Sequence, residues 1–257
     1  MDAPGTLGTP TRGDADVGQI AALIGDPHRA RMLLVMADGR AHAASVLASA
    51  VGLKRSAATA HLRRLVDGGL VCVEQVGRFR LHSLASSDVA RLVEALAALA
   101  PPQGVSSLSE SNKAVALRTG RTCYDHLAGR LGVAVTDALR CHEALLFEDP
   151  PDGVAAGGSS VALTLGPFAD EVLQTLDVDL GAVATKSPRR PELRLCVDWS
   201  ERRFHLAGAL GAALLDACLR NGWVTRHYGR SVRLTTTGRD RLEIALPRIV
   251  LDTLPAV

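Results

Sequence analysis

Three observations predict a mainly α fold with small β-hairpins (α+β), divided between two domains. Between Gly25 and Leu84, three short apolar stretches of helical period are followed by two alternating strands around a Gly. A Pro-Pro-Gln-Gly break at 101–104 separates this region from a second set of helix and hairpin patterns. The 257 residues are 47% hydrophobic, ample for two packed cores, and with aromatics at only 3% those cores must be filled by Ala, Leu and Val.

The first stretch begins at Asp26-Pro27, carries Met32, Leu33, Met36 and Ala37 at helical spacing, and stops at Asp38-Gly39. A second helix, Ala44 to Ala50, ends at Val51-Gly52-Leu53, the kind of tight turn that joins two crossed helices. The third begins at Lys54-Arg55-Ser56, turns Ala58, Leu62, Leu65 and Val66 inward and stops at Asp67-Gly68-Gly69. Its outer face carries small and hydrogen-bonding residues, which let a helix sit deep in a major groove. Ser56, Thr59 and His61 are placed for base edges or phosphate, and Lys54, Arg55, Arg63 and Arg64 for flanking phosphates. Strands 71–76 and 79–84 then turn at Gly77-Arg78, which puts Arg78 and Arg80 at a hairpin tip suited to the minor groove or backbone. The pattern is that of a winged helix-turn-helix.

The strings LIGDPHRARMLLVMADG, LASAVGLKRSAATAHLRRLVDGGLV and VGRFRLHSL resemble the ArsR family of dimeric bacterial winged-helix repressors, over about residues 17 to 100. The resemblance implies a homodimer on an inverted-repeat operator in double-stranded DNA, with a recognition helix at 54–68 and a wing at 71–84. The family's recognition pattern falls on Arg55, Ser56, Ala57, Thr59 and His61, while Ala60 stands where a second His is common. Ala41 to Ala50 contains no Cys, and the helix over 87–100 offers only Asp88 and Glu94, so two metal sites known in the family are absent.

The net charge of +2 hides a local asymmetry. Between Asp26 and Arg80, Arg29, Arg31, Arg40, Lys54, Arg55, Arg63, Arg64, Arg78 and Arg80 face only Asp26, Asp38, Asp67 and Glu74. A basic domain on a near-neutral chain suits DNA and needs no cofactor to bind it. No stretch reaches the roughly 18 apolar residues of a membrane helix, and the N-terminus lacks a signal-peptide pattern. The five Cys lack disulfide-framework spacing. These features lead us to expect a cytoplasmic, nucleoid-associated protein without membrane partners.

The expected domains are a disordered 1–16, a winged-helix DNA-binding and dimerisation domain at 17–100, a linker at 101–111 and an effector or regulatory domain at 112–257. Helices at 17–24 and 88–100 flank the winged helix, the second with Val89, Leu92, Val93, Leu96 and Leu99 around much of its surface. In the resembling family such helices pack across the dimer axis; the alternative is packing on the second domain. In the C-terminal region the expected helices are 112–131, 135–146 and 206–220, with a Gly/Ser/Pro-rich loop at 149–160. VALTLGPFADEVL and VRLTTTGRDRLEIAL suggest a weak repeat of helix, hairpin and helix, with Thr164 or Thr236-Thr237 placed to cap. The second copy is winged-helix-like, although LAGALGAALLDA suits close helix packing better than a DNA groove.

RTCYDHLAG and CVDWSERRFHLAGALGAALL also resemble a C-terminal extension carried by a subset of these regulators. Arg121, Cys123, Tyr124, Asp125 and His126 are expected close together on one helix, with Cys196, Arg203 and His205 near a strand-to-helix junction. Cys123, His126, Cys196 and His205 suit a soft metal or a metalloid. Arg121, Tyr124, His126 and Arg203 suit an organic anion, and Cys123 or Cys196 a thiol switch; a purely structural domain stays open as well. The chain has no P-loop, dinucleotide fingerprint or nucleophile elbow, so no enzyme is expected, and a regulator fused to a catalytic domain is the weaker alternative.

Overall fold

The computed structural model describes residues 14–101, 104, 106–149, 161–186, 192–252 and 254. Most of the 1–16 segment and of the 149–160 loop lies outside them. The N-terminal half runs α1 (Val17–Ile24), α2 (Pro27–Met36), β1 (His42–Ala43), α3 (Ala44–Val51), α4 (Arg55–Asp67), β2 (Val71–Val76), β3 (Phe79–Leu84) and α5 (Ser87–Leu99). Asp26 caps α2 by accepting from Arg29 N at 2.9 Å, with Pro27 in the first turn. Met32, Leu33, Met36, Leu47, Leu62 and Leu65 form its core, each nearly inaccessible. The wing is an antiparallel sheet in the order β1-β3-β2, the short β1 having escaped the sequence reading. The winged helix-turn-helix is therefore present, within a mixed fold of helices and small antiparallel sheets.

The C-terminal half contains α6 (Leu108–Thr119), β4 (Arg121–Cys123), β5 (His126–Ala128), α7 (Gly129–Cys141), β6 (Leu145–Leu146), β7 (Thr164–Leu165), α8 (Ala169–Thr175), α9 (Leu180–Lys186), β8 (Arg194–Val197), β9 (Phe204–Ala207), α10 (Gly208–Arg220), β10 (Val224–Arg226), β11 (Val232–Leu234) and α11 (Thr236–Ala245). The single helix expected over 112–131 is not formed, and α6 starts inside the stretch read as a linker. Gly120 leaves α6 in extended backbone, and the chain joins β11 instead: Val232 N donates to Gly120 O at 2.9 Å and Thr122 N to Arg230 O at 2.8 Å. Tertiary pairing thus overrides a plausible helical pattern. For the same reason the helices expected at 135–146 and 206–220 begin at Gly129 and Gly208, each directly after a hairpin strand.

A repeat is present, but each copy is longer than the sequence suggested. Hairpin, helix, strand pair and helix run β4-β5-α7-β6-β7-α8 and again β8-β9-α10-β10-β11-α11. Both copies share one core, which includes Leu131, Leu139, Leu173, Leu210, Leu214 and Leu242. The helix α10 buries Gly208, Leu210, Gly211, Leu214 and Leu215, as its small-residue composition indicated. Thr235, one residue before the expected Thr236-Thr237, caps α11 through Gly238 N at 2.9 Å; Phe168, not Thr164, precedes α8 and makes no side-chain cap bond.

The two halves are joined at the β4–β5 turn. Tyr124 N donates to Ala37 O at 2.7 Å, and Tyr124 packs on the N-terminal core. Tyr124 has φ +61, a sparsely populated region for a non-glycine residue, held here by that docking. Gly39, at φ +74, lies directly beneath it, where a Cβ would fall 2.1 Å from Tyr124 O. Gly39→Ala is therefore expected to destabilise the chain by more than about 1 kcal/mol and to split its urea transition into two. An unchanged single transition would show that the contact does not couple the halves. A second tie is the buried ion pair of Glu94 on α5 with Arg230.

Candidate functional site

Two sites emerge, one exposed and one buried. On the first, Arg55, Ser56, Ala57, Thr59, Ala60, Arg63 and Arg64 lie exposed on α4 and Lys54 at its N-cap, because Ala58, Leu62 and Leu65 anchor the opposite stripe. Arg78 and Arg80 are exposed on the wing, with the Arg78 guanidinium 5.2 Å from the Phe79 ring centroid. Between helix and wing runs an open groove of about 750 Å³ bordered by Arg55, Thr59, Arg63, Arg78, Phe79 and Arg80. Ser45 and His82 also border it, brought there by the β1–β3 pairing that the sequence did not disclose.

Two predicted readers are less free. His61 is only 20% exposed, its Nδ1 lies 3.5 Å from Asp26 and its ring packs 5.7 Å from that of His28. It braces α4 on the start of α2 instead of projecting outward. The Thr59 hydroxyl donates to Arg55 O at 2.8 Å, which leaves its lone pairs for a ligand.

The second site lies where the two copies of the repeat meet. Hairpin registry pairs Cys123 with His126 across β4–β5, and Cys196 with His205 across β8–β9. Cys123 and His126 thus converge as cross-strand neighbours, and not as the i, i+3 pair of a helix. The two Sγ atoms stand 3.9 Å apart, the two imidazole centroids 5.1 Å apart, and one ligand atom from each of the four residues lies within 4.8 Å of the others. The packing is reciprocal: a Cβ on Gly132 of α7 would lie 3.6 Å from His205 Cβ, and one on Gly211 of α10 would lie 3.2 Å from His126 Cβ. The signal present in the sequence and missed was His-Leu-Ala-Gly, which occurs at 126–129 and again at 205–208.

Each histidine has a carboxylate behind it. His126 Nδ1 lies 3.3 Å from Asp125 Oδ1, and His205 Nδ1 lies 3.3 Å from Asp198 Oδ2, the latter off hydrogen-bond geometry. Nε2 of each ring is buried and has no hydrogen-bond partner among the described residues. The Cys196 sulfur beside it, together with burial, pushes the Cys123 thiol far above its ordinary range. Burial works against the charged form of His205, yet the Asp198 carboxylate raises it to about 9. Asp198 is itself buried but held well below the usual carboxylate range by His205 and Arg121.

The arginines proposed for an organic anion do not join this cluster. Arg121 is fully buried, donating to Asp198 Oδ2 at 3.0 Å and to Ser200 Oγ at 3.2 Å, with Trp199 stacked 4.5 Å away. Arg203 points outward and pairs with Asp137 at 2.8 Å. Both pair with carboxylates of the chain itself, Arg121 in the interior and Arg203 at the surface. Tyr124 lies in the turn and lines, with Cys123, His126 and Cys196, a pocket of about 30 Å³ that reaches Ser87, Ala90 and Arg91 of α5.

Residues 24–74 match the helix-turn-helix domain family HTH_20. The homodimeric winged helix-turn-helix DNA-binding domain Mb0332 of Mycobacterium bovis is 27% identical over 35% of this chain and 89% of that one, with a TM-score of 0.31. The cadmium metal-sensor CMTR of Mycobacterium tuberculosis is 30% identical over 35% of this chain and 98% of that one, with a TM-score of 0.27. The HTH-type transcriptional regulator YdfF of Bacillus subtilis (strain 168) is 37% identical over 229 residues, 89% of this chain and 96% of its own length. A likeness of that depth, running through both halves and joined to the helix-turn-helix match, shows that the chain belongs to the HTH-type transcriptional regulators.

Proposed function

We infer that the protein is an ArsR-type repressor that binds an inverted-repeat operator as a homodimer, acting on nucleoid DNA in the cytoplasm and catalysing no reaction. The observation that carries this is the exposed face of α4, whose small residues and flanking arginines stand beside a basic wing across an open groove. Dimerisation is supported by apolar residues on the two flanking helices: Val17 of α1 is 70% exposed, and Leu96 and Leu99 of α5 are 42% and 84% exposed. Glu94 of the same helix supports the packing alternative too, because it is buried against Arg230 of the C-terminal half, while Ala90 and Val93 belong to the N-terminal core. One helix thus touches the C-terminal half and offers an apolar edge to a second copy. In this reading the C-terminal half biases the separation of the two recognition helices.

The test combines sedimentation with footprinting on the chain's own upstream DNA. A dimer is expected, protecting two half-sites whose centres lie about one helical turn, roughly 34–36 Å, apart. A monomer at micromolar concentration, or a footprint without two-fold symmetry, would contradict the reading.

A further inference from the structure

We propose that Cys123, His126, Cys196 and His205 form a mononuclear site for a soft, thiophilic divalent cation of the zinc type, and that the cation is the effector. The effector role rests on the reading of the C-terminal half as a sensor; the site itself does not. Geometry comes first. Tetrahedral coordination with Zn–S bonds of about 2.3 Å places two sulfurs about 3.8 Å apart, and the two thiols already stand at 3.9 Å. The remaining donor separations all fall within 4.8 Å.

Charge and hydrogen bonding agree with this assignment. On binding, Cys123 and Cys196 each lose one proton to solvent and each donates a sulfur lone pair, and an imidazole that carries two ring protons also releases one to solvent, so that both histidines donate through nitrogen as neutral ligands. Two thiolates cancel a 2+ ion, so the loaded site buries no net charge. An Nδ1 hydrogen-bonded to a carboxylate with Nε2 left over is the arrangement that orients histidine ligands; His126 has it with Asp125, and for His205 the Asp198 carboxylate lies 3.3 Å from Nδ1 outside hydrogen-bond geometry. Oxygen-preferring cations such as magnesium or calcium find no oxygen among the four donors. The pocket that reaches Cys123, His126 and Cys196 along α5 provides access for the ion.

The route to DNA binding is short. The turn between Cys123 and His126 is the segment docked on Ala37 and Gly39 at the end of α2, and the access pocket borders α5. A cation that fixes this turn acts directly on the helices that position α4.

Cobalt(II) is the probe. The full chain, stripped with a chelator and kept under a phosphine reductant, is expected to bind one Co(II) with thiolate-to-cobalt charge transfer and the intense ligand-field bands of four-coordination. One equivalent of zinc should abolish those bands. Cys196→Ser and His205→Gln should lose them, whereas Cys141→Ser, an exposed thiol outside the cluster, should keep them. Weak six-coordinate bands, or bands indifferent to Cys196→Ser, would overturn the site. Should the serine variant fail to fold, X-ray absorption of the zinc-loaded parent decides: two sulfur and two nitrogen neighbours support the site, and a shell of nitrogen and oxygen alone overturns it. Operator affinity is then measured on stripped and zinc-loaded protein. A change of about 5-fold or more supports the effector role. Equal affinities overturn that role, while operator binding by the stripped protein shows separately whether the repressor reading stands.

Discussion

Replacing Arg55 and Arg80 together by alanine is expected to weaken operator binding about a hundredfold while leaving the fold intact. Both side chains are exposed on opposite walls of the groove between α4 and the wing, so truncation exposes no core and breaks no buried bond. An arginine on DNA is worth roughly 1–3 kcal/mol, and two at about 1.4 kcal/mol each multiply to two decades in Kd. A phosphate contact also releases counterions, so the slope of log affinity against log salt should shrink by about 0.9 for each lost contact. Titration of labelled operator duplex at several salt concentrations measures both quantities. Parent-like affinity with an unaltered slope would place the DNA elsewhere on the protein. His61→Ala is a useful contrast: because that ring braces α4 on Asp26 and His28, it should lower stability more than it alters base preference.

Glu94→Gln is expected to cost about 3–5 kcal/mol, the range seen when one partner of a buried ion pair is removed. Glu94 is 4% exposed and Arg230 7% exposed, so the substitution leaves a guanidinium charge in the interior without its counter-charge. Burial alone would raise the Glu94 carboxyl, but Arg230 beside it holds the carboxyl below its ordinary value. Since the folded-state pKa is depressed, the carboxylate stabilises the fold fully above the ordinary glutamate value of about 4.3, and that stabilisation is lost as pH falls through the lower folded value. The difference in unfolding free energy between parent and variant should therefore be flat above about pH 5 and shrink toward pH 3. Urea unfolding across that range measures it. A difference independent of pH would mean that lost packing, not charge, carries the effect. Replacing both partners by apolar residues should recover much of the stability.

The winged helix was legible because its cues are local. Asp26-Pro27 starts a helix, Gly52 and Gly68-Gly69 end two others, and Gly77 turns the wing, so each boundary is written within a few residues of where it acts. The C-terminal half was harder for a physical reason. Residues 121–128 have a pattern compatible with either helix or strand, and the choice is made by β11, more than a hundred residues later, through Arg230 and Val232. The four sulfur and nitrogen donors were each noticed, but their convergence was hidden by unequal turns. Cys123 and His126 flank a two-residue turn, whereas Cys196 and His205 are separated by Val197 to Phe204. Hairpin registry erases that difference, and spacing along the chain does not reveal it.

The mutual fit of Gly132 with His205 and of Gly211 with His126 has a consequence for concentration dependence. A pseudo-twofold arrangement of this kind ordinarily arises between two separate molecules, and it then falls apart on dilution. Here covalent continuity supplies both halves, so assembly of the Cys-His cluster is first order, and its half-saturation point should be the same at nanomolar and at micromolar protein. The proposed pairing of two chains through α1 and α5 is second order and responds to how much protein a cell holds. Occupancy of the cluster and abundance of the chain thus become separable inputs to one operator.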